Sequence, residues 1–477
     1  MKCRPELGGP SFNSVVALDG FQAVKHNGLP YMARVCLAWL FLSVLAAPAS
    51  CAAIQASVAK IEITPPPGLP MWGYSNRKGP ANGTLDPLYA RVLVLKAGTS
   101  SLALVTVDLG RPFGPASLNW LRAVTRSEVS VLIVAATHTH SGPTIADEYP
   151  KGTPAWETTA LAKIAKAVSE AKSRLAEARI GVGYGFTLIG HNRLRVNPDG
   201  NVIWFERNLT QIPSAPIDGT VSVLRVDTFA GQPLAILVNY ACHPVVFGSD
   251  NLQYSADFPA AMAKTVEEAF GSRPLCFFLQ GAPGDINPYF AVTPLEEDAV
   301  NLRDRTGEKL GREAVRIAKA IQAQGDVDAE LEFSEERVKA HVRWDPEKWR
   351  EAMITVFGPA ADQTFPSRSG PTIDLPVTTV LINHKIAILT MPGEAFVEYQ
   401  IAWRERCPVP DALFLGYANA YDGYFPTIPS ASRGGYGAAN PATWVEIGAG
   451  DRMVDIGVMS IQKMLGRLPD LPEDLRK

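Results

Sequence analysis

Histidine is scarce in this chain, with seven among 477 residues. One of them, His26, precedes the body of the protein, and three of the other six, His138, His140 and His243, stand directly after very apolar runs. Cysteine is sparse as well. Cys3, Cys36 and Cys51 fall near the N-terminus, leaving Cys242, Cys276 and Cys407, and that odd number excludes a fully paired disulfide framework. A single Cys242 to Cys276 bridge is compatible with the sequence, but two buried thiols are the expectation. Charge of one sign is also missing: 45 basic and 48 acidic residues give a formal charge of -3, with no long block of either. Nucleic acid and anionic membrane surfaces therefore have no electrostatic claim as partners. No internal repeat and no long low-complexity tract occurs.

What remains is an ordinary globular composition, 47% hydrophobic and 19% charged, with material for one large domain or two smaller ones. The N-terminal segment differs from the rest. "MARVCLAWLFLSVLAAPASCAA" places Arg34 before an apolar stretch of signal-peptide length that ends in small residues. Residues 1–53 are thus expected to be an N-terminal extension and signal peptide, with Met32 a better start than Met1 and a secreted or periplasmic product. The apolar run is short for a bilayer crossing, so no stable membrane span is expected in the mature protein. "NGT" at Asn82 and "NLT" at Asn208 fit the N-glycosylation pattern.

Downstream, apolar β-type runs alternate with helical patterns. "RVLVLKAG", "SLALVTVDLG" and "VSVLIVAAT" read as strands, as do "RIGVGYGF", "TVSVLRVDT", "LAILVNYACHP" and "PLCFFLQG", while "SLNWLRAVTRS", "TTALAKIAKAVSEAKSRLAEA" and "FPAAMAKTVEEAF" read as helices. Such alternation predicts an α/β fold, a mixed β-sheet core flanked by helices with the active site at strand ends. A single catalytic domain over 54–470 is expected. Within it the polar stretch 328–374 reads as an excursion or lid, and "VTTVLINHKIAILTMPGEAF" as a hairpin, a turn and a helix.

The chemistry concentrates at strand ends. His138 and His140 in "ATHTHSGP" are two residues apart, a spacing that in an extended chain puts both on one face. Alone, the pair reads equally as two capped histidines. A metallo-β-lactamase-type site wants an acidic residue shortly after the pair, and "HTHSGPT" has none. His243 in "NYACHPVV" and Glu394 in "ILTMPGEAF" share the strand-end setting, and Glu394 reads equally as a carboxylate favoured by a helix dipole. "GYANAYDGYFPT" crowds three tyrosines into a Gly-containing loop. Two imidazoles and a carboxylate suit zinc, with positions left for water and one weaker ligand. Asp108, Asp257 and Asp285 are candidates for fixing the histidine tautomers.

In this order and context "ATHTHSGP", "ACHPVV" and "MPGEAF" resemble the neutral, non-lysosomal ceramidases, over about residues 56 to 465. The resemblance implies a zinc amidase that cleaves ceramide to a sphingoid base and a fatty acid by attack of zinc-bound hydroxide. It implies His138, His243, Glu394 and Tyr424 as zinc ligands, with Tyr421 the fallback for the tyrosine. His140 is implied as an acid/base or oxyanion group beside the metal, with Tyr436, twelve residues after Tyr424, as a second active-site tyrosine. Arg193 in "GHNRLRVNPDG" resembles the family's Asn-Arg motif and is expected to bind the polar head of the substrate.

Two departures stand out. Where the family carries Gly-Asp-Val-Ser-Pro this chain has "GDINP", so Asn287 replaces the active-site serine and excludes a covalent acyl-serine route, while leaving an N–H for a developing oxyanion. The C-terminal β-sandwich, an Ig-like domain, of typical members is not expected here. An esterase or amidase acting on a small or sugar-linked acyl group is therefore the alternative, and a non-catalytic lipid- or glycan-binding relative the third reading.

Overall fold

The structure is a computed structural model that describes residues 53–149, 151–326, 328–358 and 370–468. The expected signal segment lies outside the described residues except for Ala53.

The larger sheet has eight strands: β1 (Gln55–Glu62), β2 (Tyr89–Ala97), β3 (Ser100–Val107), β4 (Val131–Ala136), β5 (Ala176–Phe186), β6 (Thr220–Thr228), β7 (Pro233–Tyr240) and β8 (Leu275–Gln280). Their order is β8-β7-β6-β5-β1-β2-β3-β4. The outermost pairs, β3 with β4 and β7 with β8, are parallel, and the pairs between them are antiparallel. Unbroken apolar strands such as β4 arise because both faces are covered. Val131, Ile133 and Ala135 enter one core cluster, while Leu132, Val134 and Ala136 enter another.

Helices cover one face: α1 (Pro115–Thr125), α2 (Ala155–Ser173), α3 (Phe258–Ala269) and α4 (Ala299–Ala320). Helix α2 buries Ala160, Leu161, Ile164, Ala167, Val168 and Ala171, a repeat near 3.6 residues. It stops earlier than its sequence pattern suggests, because Ala176 and Ala178 already pair with Ala56 and Thr228 in the sheet.

A second sheet covers the opposite face, built from β9 (Leu331–His341), β10 (Thr372–Ile382), β11 (Ile386–Thr390) and β12 (Asp411–Leu415) in that order. Leu331, Val380, Ile386, Ile388 and Leu413 pack with Leu93, Leu104, Ile133 and Leu237 in one shared cluster. Beyond α5 (Pro346–Phe357), helices α6 (Val397–Arg406) and α7 (Ala449–Met464) close the far side. The outcome is four layers, helix on sheet on sheet on helix, and it matches the expected fold class. The stretch 328–374 departs from its reading as an excursion or lid: β9 pairs with β10 along its whole length, and Trp349 of α5 packs edge-on against Trp444.

One buried amide ties the two sheets together. Asn239, at the end of β7, donates to Leu279 O at 2.9 Å and to Phe414 O at 2.8 Å, and accepts from Phe414 N at 3.3 Å. Asn239→Ala removes the bonds to the buried Phe414 N–H and C=O, so a loss of about 2 kcal/mol is expected in the unfolding free energy measured with urea. An unchanged midpoint would show that the sheets do not need this link.

Cys242 and Cys276 are free and buried, as expected, and Cys407 is free too. Asn208 is 1% exposed, with its side chain bonded to Ile212 N and O, which rules it out as a glycan acceptor in the folded protein. Asn82 is exposed. Among the described residues no helix is long and apolar enough to cross a membrane.

Candidate metal centre

Several strands deliver their C-terminal ends to one place, the position where open α/β sheets place ligands. β4 runs into His138, β7 into His243, β11 into Glu394 and β12 into the tyrosine loop. His138 and His140 do face one site, but not through strand alternation: His138 has φ 69°, so the chain turns sharply there. Thr139 braces the turn, donating to Ser255 O at 2.7 Å and accepting from Ser141 N at 3.0 Å. Glu394 lies upstream of α6 in a short parallel pair with the tyrosine loop, opposite Tyr424. It is therefore not a helix-dipole carboxylate. Gly393, at φ 154°, is required in this turn, because a Cβ there would lie 2.3 Å from Gly423 O.

His138 and His243 share one geometry. His138 Nδ1 lies 2.5 Å from Gly110 O, and His243 Nδ1 lies 3.0 Å from Ile286 O. A carbonyl only accepts, so both Nδ1 atoms carry the proton and both Nε2 atoms present bare lone pairs. Those lone pairs face the same oxygen: Glu394 Oε2 is 3.6 Å from His138 Nε2 and 3.0 Å from His243 Nε2. Burial pushes His138 down to about 3 against the pull of the Glu394 charge, and it lowers His243 as well. Burial works to raise Glu394, but the side chains around it, the donating Tyr421 hydroxyl among them, hold its carboxyl below the usual carboxylate range. Three buried acceptors aimed at one point repel one another unless a cation lies between them. The donor set therefore fits a divalent metal, and two nitrogens with an oxygen suit zinc.

His140 is different in one respect. His138 and His243 are 1% and 0% exposed, whereas His140 is only partly buried, although burial lowers its imidazole as well. Its Nε2 lies 3.2 Å from His138 Nε2, and the ligating atoms of all three histidines lie within 4.8 Å of one another. Gly73 sets the ring position, since at φ 103° it has no Cβ where one would stand 2.4 Å from the imidazole.

The tyrosine loop surrounds Glu394. Tyr421 OH donates to Oε1 at 2.5 Å and Tyr417 OH to Oε2 at 3.2 Å. The ring of Tyr417 also lies flat on His138, with centroids 4.0 Å apart. The Tyr424 hydroxyl instead accepts from Arg193 Nη2 at 3.0 Å. Arg193 is 4% exposed, and its guanidinium sits among Trp204, Tyr424 and Tyr436, 5.0 to 5.7 Å from the ring centres, within cation–π range. Its other bonds go to Gly284 O and to Asn287 Oδ1. Asn287 spends an N–H on Glu206 O at 3.3 Å. Tyr436 packs on Tyr424, and burial pushes its phenol up to about 12.

Sequence reasoning placed the tautomer-fixing groups wrongly. Asp108 pairs with Arg91, Asp257 caps α3 and holds Phe247 N, and Asp285 binds Asn192 and Val397. None of them takes a histidine proton, because backbone carbonyls already do. Tyr417 and Trp204 were missed as well, although the crowded "GYANAYDGY" loop was a signal for the first. A second group, Glu330, Glu332 and His384, is exposed or partly so and reads as a surface ion-pair cluster.

No protein-family model and no curated protein matches the sequence. Solved structures do match. One described as ceramidase complexed with C2 superposes with a TM-score of 0.70 at 18% identity, covering 88% of this chain and 76% of that one. A neutral ceramidase from Pseudomonas aeruginosa gives 0.68 at 18% identity, with the same coverage. The chain has the fold of these ceramidases.

Proposed function

We propose that this chain is a secreted, zinc-dependent hydrolase of N-acyl amide bonds, with ceramide as the leading substrate and a sphingoid base and a fatty acid as products. The observation that carries this reading is the pair of Nε2 lone pairs, each set by a backbone carbonyl, converging on one carboxylate oxygen. The shared fold with ceramidases supports the substrate class, and the signal-like segment at 1–53 supports secretion.

His138, His243 and Glu394 would hold the zinc together with Tyr424, chosen over Tyr421 because its hydroxyl faces the Arg193 guanidinium. Burial and the Glu394 charge raise the Tyr424 phenol, and the Arg193 cation works against them. When bound, the metal would polarise the acyl carbonyl and bring the pKa of water down to about 7. His140 is placed to move the proton that the leaving amine needs, and the Tyr436 hydroxyl to donate to the oxygen that gains charge. Arg193 binds the polar part of the substrate and holds Asn287, whose remaining N–H is free to assist. Hydrolysis of a fluorescent short-chain ceramide is expected to stop on chelation and return with zinc. Activity that ignores the chelator would defeat the reading.

The amide at Asn287, where resembling enzymes carry serine, favours one alternative: an esterase or amidase for a smaller or sugar-linked acyl group. A series of acyl-chain lengths separates the two readings, since only the first rewards a long chain.

A further inference from the structure

Four consecutive residues, Gly284 to Asn287, connect parts of the site that are distant in sequence. Gly284 N donates to Ala395 O at 2.7 Å, next to Glu394. Gly284 O and Asn287 Oδ1 accept from the Arg193 guanidinium at 2.7 and 3.1 Å, and Asp285 O accepts from Arg193 N at 2.8 Å. Ile286 O accepts from both His243 N and His243 Nδ1 at 3.0 Å.

The one ionisable side chain in this segment is Asp285, 1% exposed, whose carboxyl burial pushes up to about 7 while the two donors it meets work to keep it ionised. Its Oδ1 accepts from Val397 N at 2.9 Å, at the start of α6 and three residues after Glu394. Its Oδ2 accepts from Asn192 Nδ2 at 2.6 Å, one residue before Arg193. Asn192 cannot turn its amide over to suit a different partner, because Nδ2 also donates to Pro216 O and Oδ1 accepts from Leu194 N. Both oxygens of residue 285 must therefore accept. A carboxylate does so, whereas an amide would set an N–H against one of the two donors. The Val397 N–H lies in the first turn of α6 and has no carbonyl within the helix to meet, so the carboxylate is what anchors that turn.

We propose that Asp285 is a positioning residue whose carboxylate bridges the segment carrying Glu394 to the segment carrying Arg193, fixing the spacing of these two groups across the site. The assignment rests on the reading of Glu394 as a metal ligand only for its effect on metal affinity; the bridge itself is a property of the protein without metal.

The test uses Asp285→Asn and, independently, Val397→Pro, which deletes one donor and leaves Asp285 in place. Proline is tolerated at the first helical position, and Phe396 before it is already extended, at φ -68° and ψ 149°. In the metal-free protein, amide hydrogen exchange is expected to accelerate in peptides covering both 190–196 and 394–400 in Asp285→Asn, and at 394–400 in Val397→Pro, while α1 keeps its protection. Zinc affinity, measured by competition with a chromophoric chelator, is expected to fall about 10- to 100-fold in each variant, the usual cost of removing a group that orients a ligand. Unchanged exchange at either segment of Asp285→Asn, or equal acceleration throughout the protein, overturns the proposal. Because exchange is read without metal, a wild-type protein that binds no zinc defeats the metal reading and still leaves the exchange data to decide the role of Asp285.

Discussion

His138→Ala is expected to abolish zinc binding and to lower amide hydrolysis by roughly 10³-fold or more, because the charge stabilisation supplied by a metal is worth several kcal/mol. The argument rests on the surroundings of the imidazole. Gly110 O fixes its tautomer, the Tyr417 ring lies flat against it, and its Nε2 faces Glu394. Its one N–H is committed to Gly110 O, so what it offers the site is the Nε2 atom. Its work is to present a lone pair. Metal analysis of the purified variant beside a turnover assay checks this, and full occupancy with normal turnover would remove His138 from the ligand set.

His140→Gln is expected to give the opposite split. Zinc content should stay at the wild-type level while turnover falls by about 10²- to 10⁴-fold, the usual contribution of a positioned acid or base. His140 is the less buried imidazole, is packed between Tyr74 and His138, and is held by Gly73 and by Arg77, which donates to its carbonyl oxygen. Measured together, the two variants separate the histidines that the motif shows as equivalent. Zinc loss from His140→Gln comparable to that from His138→Ala would make all three histidines ligands and leave the proton role to Tyr436.

The distribution of what the sequence shows follows from physics. The strands leading to the site were legible because burial on both faces leaves an unbroken apolar run, and a rare histidine at the end of such a run is conspicuous. β9 was not legible, because "LEFSEERVKAH" lies at the edge of the second sheet with Glu335, Glu336, Arg337, Lys339 and His341 exposed. Charges of this kind protect an open edge, and in sequence they look like a loop. The groups that orient the ligands were equally hidden. Gly110 and Ile286 act through main-chain carbonyls, which every residue possesses, whereas Asp108, Asp257 and Asp285 serve other purposes. The turn at His138 depends on a positive φ that no neighbouring glycine announces. The sequence offers Asp285 only as a candidate for fixing a histidine tautomer, and its role across two segments appears once Asn192 and Val397 are seen on its two oxygens.

The central claim is that one zinc ion is held between His138 Nε2, His243 Nε2 and Glu394. Anomalous diffraction from crystals of the zinc-loaded protein, recorded on both sides of the zinc absorption edge, tests it most directly. The account predicts one strong anomalous peak within about 2.0 to 2.2 Å of those three ligands, with a tyrosine oxygen, expected from Tyr424, completing the set. A peak elsewhere, or no peak at this position in protein that is catalytically active, would contradict it.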